Sequence, residues 1–233
     1  MSSNRGRTVL LVGAGSGLSA ALARRFAARG DRRVLAARDP DKLAPLCSAT
    51  GATALSCDAA DAGAVERLFA ECDRLAGEPE VVVYNPSYRV RGAFVDLPPA
   101  EVAKTIAISA FGGFLVGQQA ARRMLKRGGG AILFTGASAS VKGYPNSAPF
   151  AMGKFALRGL AQSMARELAP AGIHVAHFVI DGAIRNPGRA EPADRPDSML
   201  DPEAIATSYL QVLDQPRNAW SWEIELRPWV EKF

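Results

Sequence analysis

Between a short, largely apolar run, TVLLV (8–12), and an amphipathic one, LSAALARRFAA (18–28), stand Gly13, Gly15 and Gly17. The first run reads as a buried strand. In the second, Leu18, Leu22 and Phe26 share one helical face, Arg24, Arg25 and Arg29 lie elsewhere, and Gly30 is a natural stop. Glycines between a strand and a helix permit positive φ. They also let backbone N–H groups approach an anion at the positive end of the helix. Its place between the first strand and an amphipathic helix is what gives this motif its weight.

The alternation continues along the chain. RVLAAR, ATALSCD, EVVVYN, AILFTGAS, IHVAHFVIDG and WSWEIELRPW read as strands. Amphipathic stretches separate them: PDKLAPLCSATG, AGAVERLFAECDRLAG, one long helix from PAEVAK to RRMLKR, FAMGKFALRGLAQSMARELAPAG, and PEAIATSYLQVLD. Strands apolar on both faces and alternating with helices predict an α/β fold: a Rossmann-type doubly wound parallel sheet, helices on both faces, right-handed crossovers. No repeat or break divides residues 1–233, so one domain is expected. The stretch 185–200, RNPGRAEPADRPDSML, has no periodicity and reads as a lid loop over a substrate.

Charge and cysteine content narrow the class. The formal net charge is +5, yet the arginines are scattered, without a basic block or interleaved aromatics, which argues against nucleic-acid binding. Cys47, Cys57 and Cys72 have no paired spacing, as in a reducing compartment. His174 and His177 fall on opposite faces of one strand, so no metal site is expected from them. The chain opens directly into its first strand, and no apolar run of membrane-spanning length stands out. A cytoplasmic protein without a membrane partner is expected.

Gly13-x-x-x-Gly17-x-Ser19 resembles the Thr-Gly-x-x-x-Gly-x-Gly turn of the short-chain dehydrogenase/reductase family. Ser19 stands at the third glycine and Val12 at the threonine. The resemblance runs through VVVYNPS, GAILFTGAS and VIDGAI, and so spans nearly the whole chain. It implies a dinucleotide held by Gly13, Gly15, Ser16, Gly17 and Leu18 at the turn. Asp58 and Ala59 follow the third strand, Asn85 and Pro86 the fourth, and Lys154, Gly182 and Ile184 complete the set. Proline at 86 removes an N–H beside the cofactor path and stiffens that loop. After the second strand, Ala37 stands where an NAD-selective acid would be and Arg38 follows, so NADP(H) is favoured over NAD(H). The resemblance also implies a homodimer or homotetramer.

The catalytic positions depart from the family. Its tyrosine protonates a carbonyl oxygen while a lysine lowers the phenol pKa and binds the nicotinamide ribose. Lys154 matches the lysine. Phe150, four residues earlier, stands at the tyrosine and has no proton to give. The serine position falls on Ala137, with Ser138 next to it. The helix asparagine that anchors a relay water falls at Ser109. Two substitutes for the acid are expected from the residues: Tyr144, in the loop before the active-site helix, and Asp181. Asp181 lies at the carboxyl end of the sixth strand, where partial burial would raise a carboxyl pKa. Tyr88, Arg89 and the segment around Tyr144 are expected to line the substrate pocket. Three readings stay open: an NADP(H)-dependent oxidoreductase on a carbonyl, imine or activated C=C; a non-redox enzyme using Asp181, Ser138 or Tyr144; and a catalytically silent NADP(H)-binding protein.

Overall fold

The structure is a computed structural model that describes residues 6–231. Seven parallel strands form one sheet in the order β3-β2-β1-β4-β5-β6-β7. They are β1 (Thr8–Val12), β2 (Arg32–Ala37), β3 (Thr53–Ser56), β4 (Val81–Tyr84), β5 (Gly130–Thr135), β6 (Ile173–Ile180) and β7 (Glu223–Leu226). The helices are α1 (Leu18–Ala28), α2 (Ala44–Thr50), α3 (Ala62–Ala76), α4 (Pro99–Ile106), α5 (Gly112–Arg127), α6 (Ala148–Leu168) and α7 (Pro202–Leu213).

The period-two geometry of the strands splits the core into two layers. On β1, Leu10 and Val12 join the layer under α3, α5 and α6, with Phe69, Met124 and Leu157. Val9 and Leu11 join the opposite layer under α1 and α7, with Leu22, Phe26 and Tyr209. All these side chains are essentially inaccessible to solvent. Truncating one of the core leucines to alanine typically costs about 2–5 kcal/mol. Strand order reverses between β1 and β4, which both start from the centre of the sheet. In such sheets the crevice beyond the carboxyl ends of these strands is the ligand position.

The helix expected as one piece from residue 99 is interrupted. Ala107–Phe111 forms a π turn between α4 and α5. Two glycines follow it for a packing reason. A Cβ on Gly112 would meet the Tyr84 hydroxyl and the Ala59 carbonyl, and one on Gly113 would lie 2.5 Å from Leu157. The Tyr84 hydroxyl donates to the Ile108 carbonyl inside the π turn. This helical run also corrects the expectation about membrane-length segments. Pro99–Arg127 spans 29 residues and is long and apolar enough to cross a bilayer by length and composition. In the fold, its buried residues Val116, Ala120 and Met124 belong to the core layer shared with α3 and α6.

Candidate functional site

Two clefts open at the carboxyl edge of the sheet and share Ser87. The first, about 570 Å³, lies at the switch between β1 and β4. Gly13, Gly15, Ser16, Arg38, Asp58, Ala59, Asn85 and Pro86 all line it. Gly13 needs its lack of a side chain twice. Its φ is +80°, and a Cβ there would lie 2.5 Å from the Pro86 nitrogen. Pro86 therefore packs on the turn as well as stiffening its own loop. The N–H groups of Gly13 and Ala14 both donate to the Ala36 carbonyl at 2.9 Å, so the turn's anion-facing donors come after them. A Cβ on Gly15 would meet nothing within 4 Å. Gly17 caps α1 without a side-chain bond, and the first turn of α1 carries no acid. An uncapped helix start facing an open cleft attracts negative charge.

Ser19 is fully integrated into this turn. It is buried, donates to the Gly13 carbonyl at 3.2 Å and accepts from the Asn85 amide at 2.8 Å. The serine thus ties the turn to the end of β4. Arg38 extends from β2 into the cleft and is exposed. Asp39 beside it is bound to Lys42 at 3.1 Å, and that hydrogen bond lowers its pKa. Lys42 lines the same cleft, a second cation that the strand-two pattern did not signal. Asp58 accepts from Ala60 N–H at 3.0 Å and is exposed at the cleft wall.

The second cleft, about 880 Å³, gathers Ser138, Tyr144, Phe150, Asp181, Gly182 and Ile184. Gly182 and Ile184, expected at the cofactor, therefore line this second cleft and not the first. Ser138 opens a 3-10 turn after β5 and faces the cleft, while Ala139 and Ser140 turn into the core. Arg89 also lines it, as expected, with its guanidinium 4.8 Å from the Phe150 ring centroid. Tyr88 takes another role: its hydroxyl donates to Glu101 at 2.6 Å. Asp181, expected as a partly buried carboxyl, is buried and paired with two cations. It is 4% exposed, and Lys142 at 3.2 Å and Arg227 at 3.3 Å both pair with it.

Lys154 lies on α6, one turn beyond Phe150, and is 2% exposed. Its ammonium donates to the Thr135 carbonyl at 2.7 Å and sits 6.0 Å from the Phe150 ring centroid. Burial pulls its pKa down to about 8. Ser109 lies in the π turn, fully buried against Gly153, and its hydroxyl has no partner among the described residues. Ile108, its neighbour, lines the first cleft. Leu18 and Gly17 sit at the start of α1, with Gly17 facing Asn186 of the 185–200 loop. That loop is closed at its base by Arg185 N–H to the Leu200 carbonyl and Leu200 N–H to the Ala183 carbonyl. Asn186 and Arg189 from it form one wall of the second cleft.

A buried polar chain that the sequence did not reveal supports the 137–140 turn. Ala137 N–H donates to Ser140 Oγ, which lies 3.3 Å from His177 Nε2. His177 Nδ1 is 3.0 Å from Glu223, which Arg158 grips with two bonds of 2.7 Å. Burial pulls the His177 pKa down to about 4, so the ring is neutral at pH 7. The network then assigns Nδ1–H as donor to Glu223 and Nε2 as acceptor from Ser140. On the other face of β6, His174 stacks on Trp220 at 4.6 Å.

Comparison with known proteins agrees with this architecture. Residues 7–191 match the short chain dehydrogenase family. The 3-oxoacyl-acyl-carrier-protein reductase MabA of Mycobacterium avium is 33% identical over 181 residues, 76% of this chain and 67% of its own length. The cyclic-di-GMP-binding biofilm dispersal mediator protein of Escherichia coli K12 is 33% identical over 196 residues, 82% and 78% of the two chains. A short-chain dehydrogenase structure from Rhodopseudomonas palustris superimposes with a TM-score of 0.82 at 37% identity, covering 95% of this chain and 98% of that one. An actinorhodin polyketide ketoreductase solved with NADPH shares the fold, with a TM-score of 0.88 at 21% identity.

Proposed function

The chain belongs to the short-chain dehydrogenase family of oxidoreductases, and from that premise we propose that it is an NADP(H)-dependent reductase with a non-standard proton donor. The reading rests above all on one observation: Arg38 reaches into the first cleft while Asp39, the acid next to it in the chain, is tied to Lys42. A ribose 2′-phosphate needs cations and no free carboxylate at that place.

The residues present fit a dinucleotide. The open space at Gly15 and the uncapped start of α1 suit a pyrophosphate, and Arg38 suits the 2′-phosphate. Nicotinamide, when bound, supplies a hydride to an electrophilic carbon. The chain's own contribution is to orient, exclude water and manage a proton. Lys154, buried and held by the Thr135 carbonyl, is the ribose-binding cation. Phe150, in the family's tyrosine position, shields the site and gives no proton. The proton comes from the Ser138 or Tyr144 hydroxyl, which share the second cleft with Phe150. Asp181, already engaged by two cations, holds the cleft's wall. The 185–200 loop closes over the substrate from the Asn186 side.

Calorimetric titration with NADPH, NADP⁺, NADH and NAD⁺ tests this. Micromolar binding with preference for the phosphorylated forms is expected, and the preference should collapse in Arg38→Ala. No binding of any of the four removes the redox reading. Phe150→Tyr, assayed on carbonyl, imine and enone substrates, should leave turnover within about tenfold of wild type, whereas a rise toward the 10²–10⁴-fold that a positioned acid typically contributes would show that neither hydroxyl supplies the proton. An unchanged or lower rate would show that another group already performs that transfer well.

A further inference from the structure

The second cleft concentrates positive charge without a visible reason in the fold. Arg89, Arg91 and Arg189 all line it and are all exposed. They come from two segments, the stretch after β4 and the 185–200 loop, a hundred residues apart. None of the three pairs with a carboxylate among the described residues. Asp181 is occupied by Lys142 and Arg227, which leaves Glu231 as the only other acid on the wall among the described residues. Three guanidiniums against one carboxylate leave a net positive cleft.

Arg89 is the most constrained of the three. Its guanidinium carbon lies over the Phe150 ring, 4.8 Å from the centroid, a cation–π contact that holds the charge beside residue 150. Burial, followed by the charges of Arg91 and Arg189, lowers its pKa. Such a gathering of like charges is unfavourable by itself and is relieved by an anion. Planar guanidinium forks match carboxylate and phosphate oxygens in particular.

We propose that the second cleft is an anion-binding substrate subsite, in which Arg89, Arg91 and Arg189 hold a carboxylate or phosphate group of the reducible substrate. The proposal rests on the reading of the first cleft as the cofactor side. Arg89, held against the Phe150 ring, then places the anionic end of the substrate beside residue 150, with Ser138 and Tyr144 lining the same cleft. A substrate with no anionic group would leave the three charges uncompensated and would bind more weakly than its charged analogue.

The test is calorimetric titration at low ionic strength with inorganic phosphate, 4-oxopentanoate and the uncharged ketone 2-pentanone. Wild type, Arg89→Gln/Arg189→Gln and Arg38→Gln are compared, and their melting curves confirm folding, which these exposed side chains should not disturb. Phosphate or 4-oxopentanoate should bind wild type at least about tenfold tighter than the double variant, the loss of one charge-assisted hydrogen bond. The affinity should persist in Arg38→Gln, and 2-pentanone should bind weakly throughout. The tighter of the two anions identifies a phosphorylated or a carboxylated substrate. Equal binding by wild type and double variant overturns the proposal. So does loss only in Arg38→Gln, which would place the anion in the first cleft. NADPH is titrated into the same three proteins. If it fails to bind wild type while the phosphate or carboxylate effect holds, the cofactor reading falls and the anion site stands.

Discussion

In the proposed reductase, two hydroxyls, one on Ser138 and one on Tyr144, are the candidates for the proton-donor role that Phe150 cannot fill. They differ in support. Ser138 sits on a turn held from below by Ser140 and His177, and so is fixed with respect to the sheet. Tyr144 lies in a loop, 39% exposed, with the Lys142 ammonium 5.9 Å from its ring centroid. A rigid support suits a group that must meet a reacting atom within hydrogen-bond reach. Ser138→Ala is therefore expected to lower kcat by about 10²-fold or more, and Tyr144→Phe to change it by less than about tenfold. Steady-state kinetics on one good substrate decides. The reverse ranking would assign the proton to the loop tyrosine, and no effect of either change would leave solvent as the donor. Ala137 was placed at the family's serine position by the resemblance, counting back from Phe150. That its neighbour faces the cleft was not, because only the 3-10 turn at 138–140 sets which side chain points out.

At the scale of elements, the buried His177 joins β6, β7, α6 and the 137–140 turn into one unit. Its pKa of about 4 lies below the ordinary 6.5, chiefly because burial disfavours the charged ring, while Glu223 opposes that effect. Between pH 6.5 and 4 the unfolded chain thus binds more protons at this residue than the folded one. Stability from this group is fully present above pH 6.5, falls as the pH drops, and is lost by pH 4. The whole change amounts to about 3 kcal/mol. Urea denaturation of wild type and His177→Gln should show it. The gap between the two stabilities should shrink by about that amount from pH 6.5 to 4. Parallel curves would show that the ring does not titrate in this window. The helices were legible from their 3.6-residue period, and the strands as short apolar runs bounded by glycine or polar turns. The π turn was not, since its cause is remote: Gly112 and Gly113 press against Tyr84, Ala59 and Leu157. The arginine cluster was hidden for the same reason, as residues 89 and 189 meet only through the fold. Ser19 looked like a small defect in a glycine motif and proved to be a buried hydrogen-bonding link between β1 and β4.

At the scale of the whole molecule, large apolar side chains among the described residues stand exposed around α5 and α6. Phe111 and Phe114, around the start of α5, are 48% and 41% exposed, and their rings stack at 6.2 Å. Met152 and Phe155, on α6, are 49% and 44% exposed. These two helices pack against each other, and α6 carries both Phe150 and Lys154 on its opposite face. Large apolar side chains gathered on adjacent helices mark an association surface more often than a solvated one. A second copy of the chain is the occupant that the family resemblance implies, and its docking would brace α6 from behind the site. Light scattering on the eluting protein is expected to give a dimer or tetramer of the 24.6 kDa chain. Phe155→Glu should shift it toward the monomer, because a charge placed in such an interface loses its hydration without a partner. If association braces α6, the monomeric variant should also lose turnover, while its far-ultraviolet dichroism stays that of the wild type. A wild-type mass of 24.6 kDa across the working concentration range would remove the interface, and the site would then have to owe its order to the fold of a single chain.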